Sequence, residues 1–212
     1  MSWVTRFLIG MGVVWSVAVT PLMVGQAAPA DQARWDRKYD TDRYIFGTEP
    51  IPFLRAHAHL LPKGKVLDIA MGEGRNGVYL ATQGFDVTGI DISPVGLKKA
   101  QALAARHGVT IATQVVDLEA YTLPKNAYDV IICTYYLQRD LFPQIIDALK
   151  PGGMALVETY TIDHLKYRPR FPRAYLLKTN ELLTVFRGMK VLRYQARDDG
   201  RQAYASILVQ KP

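Results

Sequence analysis

The sequence predicts an α/β domain built on a doubly wound, mostly parallel sheet of seven strands, with an antiparallel strand near its end. Three observations carry that expectation. From Lys65 onward, short β-rich apolar runs alternate with helical patterns, the signature of parallel strands joined by crossover helices. The last two β-rich runs are separated only by Asp198-Asp199-Gly200-Arg201, too short for a crossover, so that pair must be antiparallel. The composition is that of one ordinary globular domain, with 212 residues, 49% hydrophobic and 21% charged, enough for a real core and too balanced for a disordered or fibrous chain.

In chain order, Lys65 to Ala70 reads as the first strand and Arg75 to Gln83 as the helix after it. Asp86 to Ile90 is the second strand. Ser93 then stands as an N-cap with Pro94 at the first helical position, and Gly108 closes that helix. Ile111 to Val116 and Tyr128 to Thr134 are the third and fourth strands. A helix from about Arg139 to Lys150 runs into the turn Pro151-Gly152-Gly153, and Met154 to Thr159 is the fifth strand. Asn180 is expected to cap a short helix ending near Gly188, followed by the hairpin Lys190 to Arg197 and Gln202 to Gln210. Residues 31 to 60 precede the sheet and carry Trp35, Tyr39, Tyr44 and Phe46, enough aromatic area for a helical cover over one edge.

The first thirty residues read differently. Phe7 to Gly25 is a nearly continuous apolar run without charge, preceded by Arg6 and followed by Ala27-Ala28-Pro29-Ala30, the grammar of a secretory signal with a candidate cleavage after Ala30. It is also long enough to span a hydrocarbon core, which takes roughly 17–25 apolar residues. If it is retained, Arg34, Arg37, Lys38 and Arg43 on its far side outnumber Arg6, and the positive-inside bias keeps the domain cytoplasmic. A start at Met23 is a third reading. Residues 1–30 are therefore expected to be a signal peptide or membrane anchor, and residues 31–212 the folded domain. Residues 7–25 would place it on a membrane facing the cytoplasm, and cleavage would make it periplasmic or secreted.

The net charge of +7 suits nucleic acid, a membrane surface or an anionic ligand and chooses none of them. One cysteine, Cys133, excludes an intramolecular disulfide and a cysteine-rich zinc site. His57, His59, His107 and His164 lack ligand spacing, so no metal site is expected.

The informative stretch runs from Val66 to Gly77 and contains Gly72-x-Gly74-x-x-Gly77, with Asp91 following 17 residues after Gly74 at the end of the second strand. Such a loop lets backbone approach a ligand closely, and a carboxylate at the next strand end can accept hydrogen bonds from a ribose diol. Asp68 stands immediately before the loop. A pyrophosphate would be repelled there, whereas a ligand ammonium would be welcomed, so the pattern favours an adenosine-bearing cation over a nicotinamide dinucleotide.

These residues resemble the class I S-adenosylmethionine-dependent methyltransferases, particularly the small branch with the tellurite-resistance and thiopurine-type enzymes. The resemblance covers about Trp35 to Pro212 and implies a Rossmann-like fold with S-adenosyl-L-methionine as cofactor. Asp68-x-Ala70-x-Gly72-x-Gly74-Arg75-Asn76 is similar to the family's first motif. Ala70 stands where that motif usually has glycine, so Ala70 is expected not to need a positive φ. By the same resemblance, Asp91 and Ile92 would meet the ribose, Asp117 and Leu118 the adenine, and Cys133 the region of the methyl donor. Asn76 completes the cofactor set, Lys150-Pro151-Gly152-Gly153 is like the family's turn before the fifth strand, and Tyr44, Gly47 and Pro50 are like a segment closing over the cofactor.

The implied reaction moves a methyl group from sulfonium to a small-molecule acceptor, chiefly by alignment and exclusion of water. Thr134-Tyr135-Tyr136-Leu137 after the fourth strand lacks the element of amino-methylating DNA enzymes, and no recognition fold for nucleic acid accompanies the basic residues. A thiol, a chalcogen oxyanion or a phenol or quinone-like compound is the expected acceptor. The loop Tyr160 to Tyr175 follows the fifth strand and supplies His164, Lys166, Arg168, Arg170 and Arg173, suited to an anionic acceptor or membrane surface. Tyr135 and Arg170 are the candidate acceptor-side catalytic residues. Cys133 reads as an inert buried thiol and His164 as a surface loop residue. The competing reading is a non-catalytic module that keeps the fold and binds adenosine compounds or a partner. The methyl donor is made in the cytoplasm, which conflicts with export, and the cofactor motif carries more weight. Oligomeric state is open.

Overall fold

The computed structural model describes residues 29–212. The expected signal or anchor, including its apolar run at residues 7–25, lies outside these residues except for Pro29 and Ala30, which begin the first helix. Among the described residues no helix is long and apolar enough to cross a membrane.

The chain order is α1 (Pro29–Tyr39), α2 (Pro52–His57), β1 (Lys65–Ile69), α3 (Arg75–Thr82), β2 (Asp86–Asp91), α4 (Pro94–Arg106), β3 (Ala112–Val115) and β4 (Tyr128–Thr134). It continues with α5 (Leu141–Ala148), β5 (Leu149–Tyr160), α6 (Glu181–Val185), β6 (Lys190–Asp198) and β7 (Ala203–Gln210). The seven strands form one sheet in the order β3-β2-β1-β4-β5-β7-β6. β3, β2, β1, β4 and β5 are parallel. β7 pairs antiparallel with both β5 and β6, so the reversed strand expected from the short loop lies inside the sheet and β6 takes the edge.

The central strands are buried on both faces, as parallel strands under crossover helices must be. Alternation along them sorts the core into two layers. Val66, Val130, Ile132, Met154, Leu156 and Leu208 pack with α2, α3 and α4, while Leu67, Ile131, Ala155, Val157, Ile207 and Val209 pack with α5 and α6. The chain departs from β1 toward β2 and from β4 toward β5 on opposite sides, which opens a crevice at their carboxyl ends, where doubly wound sheets bind ligands.

Local expectations hold at α4, where Ser93 Oγ accepts the N–H of Gly96 at 3.1 Å and Gly108 adopts φ +68° beyond the helix. Two fail for identifiable reasons. Asn180 sits at φ +58° with no side-chain cap. Glu181 accepts the N–H of Lys178 at 2.7 Å and an Arg139 guanidinium N–H, which ties down the turn before the helix, while the left-handed backbone of Asn180 departs from the extended conformation of an ordinary N-cap. Pro151-Gly152-Gly153 does not precede the fifth strand but lies within it. The register jumps from Tyr128↔Leu149 to Val130↔Met154, so the turn forms a bulge with Gly152 at φ +76° and Lys211 tied to both glycines by backbone bonds.

Candidate functional site

The glycine loop joins β1 to α3 at the crevice. Gly72 and Gly74 take φ +56° and +89°, and a Cβ on Gly72 would stand 2.7 Å from the Tyr39 hydroxyl, so the bare backbone is required by space as well as by conformation. A Cβ on Gly77 would collide with Met71 and with the Asp68 carboxylate at 2.8 Å. That close approach lets the Gly77 N–H donate to Asp68 Oδ2 at 2.9 Å.

Asp68 is 2% exposed. Burial, opposed by the Gly77 hydrogen bond and reinforced by the nearby Asp91 charge, pushes its pKa up to about 8. Asp91 is buried one strand away. Its two oxygens accept the N–H groups of Gly72 at 2.7 Å and Ser93 at 2.9 Å, and burial outweighs these bonds so that its pKa is also raised. A carboxylate has about four acceptor sites, so Asp91 fixes the loop and keeps lone pairs for a ligand diol. Asp117, at the end of the strand after that, is buried and accepts the N–H of Glu119. Ile92 is half-buried and Leu118 buried. The structure thus gathers Asp68, Gly72, Gly74, Asp91, Ile92, Asp117 and Leu118 along one rim.

Two placements, those of Ala70 and Asn76, differ from expectation, and that of Cys133 does not. Ala70 does take a positive φ, +53°, because the chain must leave β1 sharply to bring Met71 N–H onto the Ile90 carbonyl at 3.0 Å. Alanine's small Cβ tolerates that geometry at a cost. Asn76 is buried with both ends of its amide occupied. Its Oδ1 accepts the N–H of Ile51 at 3.0 Å and its Nδ2 donates to Thr134 Oγ1 at 2.9 Å, so it staples α2 to the end of β4. Cys133 is buried near Asp68, and burial first, then that carboxylate, pushes its thiol up to about 12, leaving it inert as expected.

The expected aromatic cover is present and sits on the site itself. Tyr39 is 4% exposed and stacks on Trp35. Lys99 Nζ donates to the carbonyls of Tyr39 and Thr41 and pairs with Glu73 at 2.6 Å. Glu73 also accepts the Phe46 N–H. Glu73 was not singled out from the sequence, although a carboxylate inside a glycine motif that ends up 3% exposed is the residue that ties cover to loop.

Residues 66–153 match the methyltransferase domain family. The match covers somewhat less than half of this chain, from β1 to the bulge in β5. A ribosomal protein L11 methyltransferase of Thermus thermophilus is 38% identical over 101 residues, 47% of this chain and 39% of that protein. A probable S-adenosyl-L-methionine-dependent methyltransferase, TehB of Haemophilus influenzae, is 29% identical over 65% of this chain and 50% of its own. The TehB crystal structure superposes with a TM-score of 0.64 at 22% identity, covering 85% of this chain and 67% of that one. The structure titled a [4+2]-cyclase, SpnF, superposes at 0.69 with 16% identity, covering 89% and 97%, a reminder that the fold hosts more than one chemistry. The chain spans about half or less of the length of these curated relatives.

Past the end of β4, Tyr135 takes φ +56°, held there by its N–H donating to the Glu158 carbonyl at 2.7 Å. Its phenol is bonded to the Glu158 carboxylate, and burial and that neighbour raise its pKa, so it cannot serve as a base. Glu158, 1% exposed and also accepting Ser206 Oγ at 2.6 Å, was missed. Its signal was a carboxylate inside the apolar run of β5. Tyr160 lies 4.9 Å from Tyr135 ring to ring.

Beyond Tyr160 a cavity of about 480 Å³ opens between the loop after β5 and the β6–β7 turn. Arg168 lines it and Arg170 does not; Arg170 is exposed because the loop turns over at Phe171, whose ring points inward. His164, expected on the surface, is 5% exposed and stacks on Tyr160 at 4.1 Å. Lys166 pairs with Asp198 at 3.2 Å, so the basic loop is partly neutralised. Among the described residues no group of three or more His, Cys, Asp or Glu side chains could hold a metal ion.

Proposed function

We propose that this domain transfers a methyl group from S-adenosylmethionine to a small-molecule acceptor. The observation that carries the proposal is the paired burial of Asp68 and Asp91 at the carboxyl ends of adjacent strands beneath a glycine loop. Asp68 offers a carboxyl whose charge a ligand ammonium would restore, and Asp91 offers lone pairs to a ribose diol. S-adenosylmethionine supplies an electrophilic methyl group on a sulfonium. The chain's own residues bind, orient and exclude water: Tyr39 covers the loop, and Tyr135 and Tyr160 wall the space beyond β4.

The rim offers no ready general base. Burial keeps the Tyr135 phenol and the Cys133 thiol protonated, and the buried Glu158 carboxylate is taken up by the Tyr135 phenol and Ser206 Oγ. The acceptor must therefore arrive as a competent nucleophile, which fits a thiol, a chalcogen oxyanion or an acidic phenol or quinol.

Isothermal titration with S-adenosylmethionine and its demethylated product should show binding. Asp91→Asn should weaken it by about 1.5–3 kcal/mol, the worth of a hydrogen bond to a charged group. No detectable binding of either compound rejects the proposal. Binding without transfer to a panel of thiols, tellurite and phenols would instead favour a non-catalytic module.

A further inference from the structure

The cavity beyond Tyr160 has a composition of its own. Its floor is aromatic: Tyr160 and His164 stack at 4.1 Å and 15°, and Phe171 stands edge-on to both at 5.6 and 5.4 Å. Its mouth carries Arg168 from one side and Arg201 and Gln202 from the β6–β7 turn.

Apart from Asp199 and the Gln202 amide oxygen, the polar groups there can donate. His164 Nδ1 accepts the Ala203 N–H at 3.4 Å, which leaves the ring proton on Nε2. Burial and the Arg168 charge hold the imidazole below its ordinary pKa, so it is a neutral donor at pH 7. Asp199 is the one carboxylate in the lining, and its own turn consumes it: Oδ1 accepts the N–H groups of Arg201 and Gln202, both at 2.9 Å, and Oδ2 accepts Gln202 Nε2. Among the described residues neither Arg168 nor Arg201 forms an ion pair.

We propose that this cavity binds a planar organic anion, of which an aromatic carboxylate is the simplest form, with its ring on the Tyr160–His164–Phe171 floor and its acid group between Arg168 and Arg201. A volume of about 480 Å³ is far larger than an inorganic oxyanion fills, and the aromatic floor would gain nothing from one. Guanidinium forks match a carboxylate in shape as well as charge. Because Tyr160 also touches Tyr135, the anion stands beside the end of β4. That it is the methyl acceptor rests on the proposed function; that it binds does not.

Titration of the full chain with 2-naphthoate, 2-naphthamide and sulfate, without methyl donor, tests the proposal. Naphthoate should bind. The amide and sulfate should each bind about tenfold more weakly or worse, the worth of a charge-assisted bond in one case and of apolar contact in the other. Arg168→Gln with Arg201→Gln, both at exposed positions that leave the core intact, should cost naphthoate at least about tenfold, while Arg173→Gln on the same loop should leave it unchanged. Equal binding of amide and acid, equal binding of sulfate and naphthoate, or an unaffected double variant would overturn it. Failure to bind S-adenosylmethionine would reject the methyl-transfer reading and leave this result standing.

Discussion

Replacing Asp68 by Asn should stabilise the fold and damage the site, and the two effects should diverge with pH. The folded protein raises the Asp68 pKa from an ordinary 3.8 to about 8, so between those values the native state holds a proton that the unfolded chain releases. By linkage, stability is full below the unfolded value and is lost as pH rises through this window. Each pH unit is worth about 1.4 kcal/mol, giving a ceiling of roughly 6 kcal/mol at and above pH 8. Asn keeps the carbonyl that accepts the Gly77 N–H and carries no charge. Urea denaturation at intervals from pH 4 to 8.5 should therefore show Asp68→Asn and the parent close together at the acid end. A gap of a few kcal/mol in favour of the variant should then grow toward pH 8. Asp91 and Glu158 are raised too and slope both curves, so the difference reports Asp68 together with its coupling to Asp91. In the parent, S-adenosylmethionine affinity should rise with pH up to about 8, since pairing an ammonium with Asp68 requires its proton to leave; the variant should lose both affinity and that dependence. Parallel denaturation curves at every pH would refute the burial argument.

Two further outcomes follow from the same geometry. Ala70→Gly should raise stability by about 0.5–1 kcal/mol, read as a higher thermal midpoint, because glycine adopts φ +53° without the alanine penalty; a fall would mean that the strained backbone is relieved elsewhere. Asn76→Ala should cost about 1–3 kcal/mol in urea denaturation, since it strands the buried Ile51 N–H, and should loosen α2 in hydrogen exchange before it affects the sheet.

Much of the site was legible because its signals are local. Asp68, Gly72, Gly74 and Asp91 lie within one strand–loop–helix–strand unit, where a turn needs glycine and a strand end needs an acid whichever way the rest of the chain packs. Residues whose role depends on distant partners were read less well. Asn76 looked like a ligand contact because nothing near it in sequence reveals that Ile51 and Thr134 take both ends of its amide. Glu158 hid in an apolar run because its partners, Tyr135 and Ser206, arrive from β4 and β7. Arg170 and Arg168 are equivalent by composition, and only the fold of the loop selects Arg168 for the cavity.

By itself, then, the sequence determined the order and type of the elements, the glycine loop and its acids, and the reversed strand, all of which follow from short-range sterics, hydrophobic period and loop length. Tertiary structure decided that the reversed strand lies inside the sheet, that Tyr39 rather than any charged group roofs the loop, and that His164 turns from the surface onto Tyr160. It also decided that a cation-lined cavity forms between two loops some thirty residues apart. Those outcomes depend on desolvation and on contacts between distant segments, which set burial and charge together and have no counterpart in a local pattern.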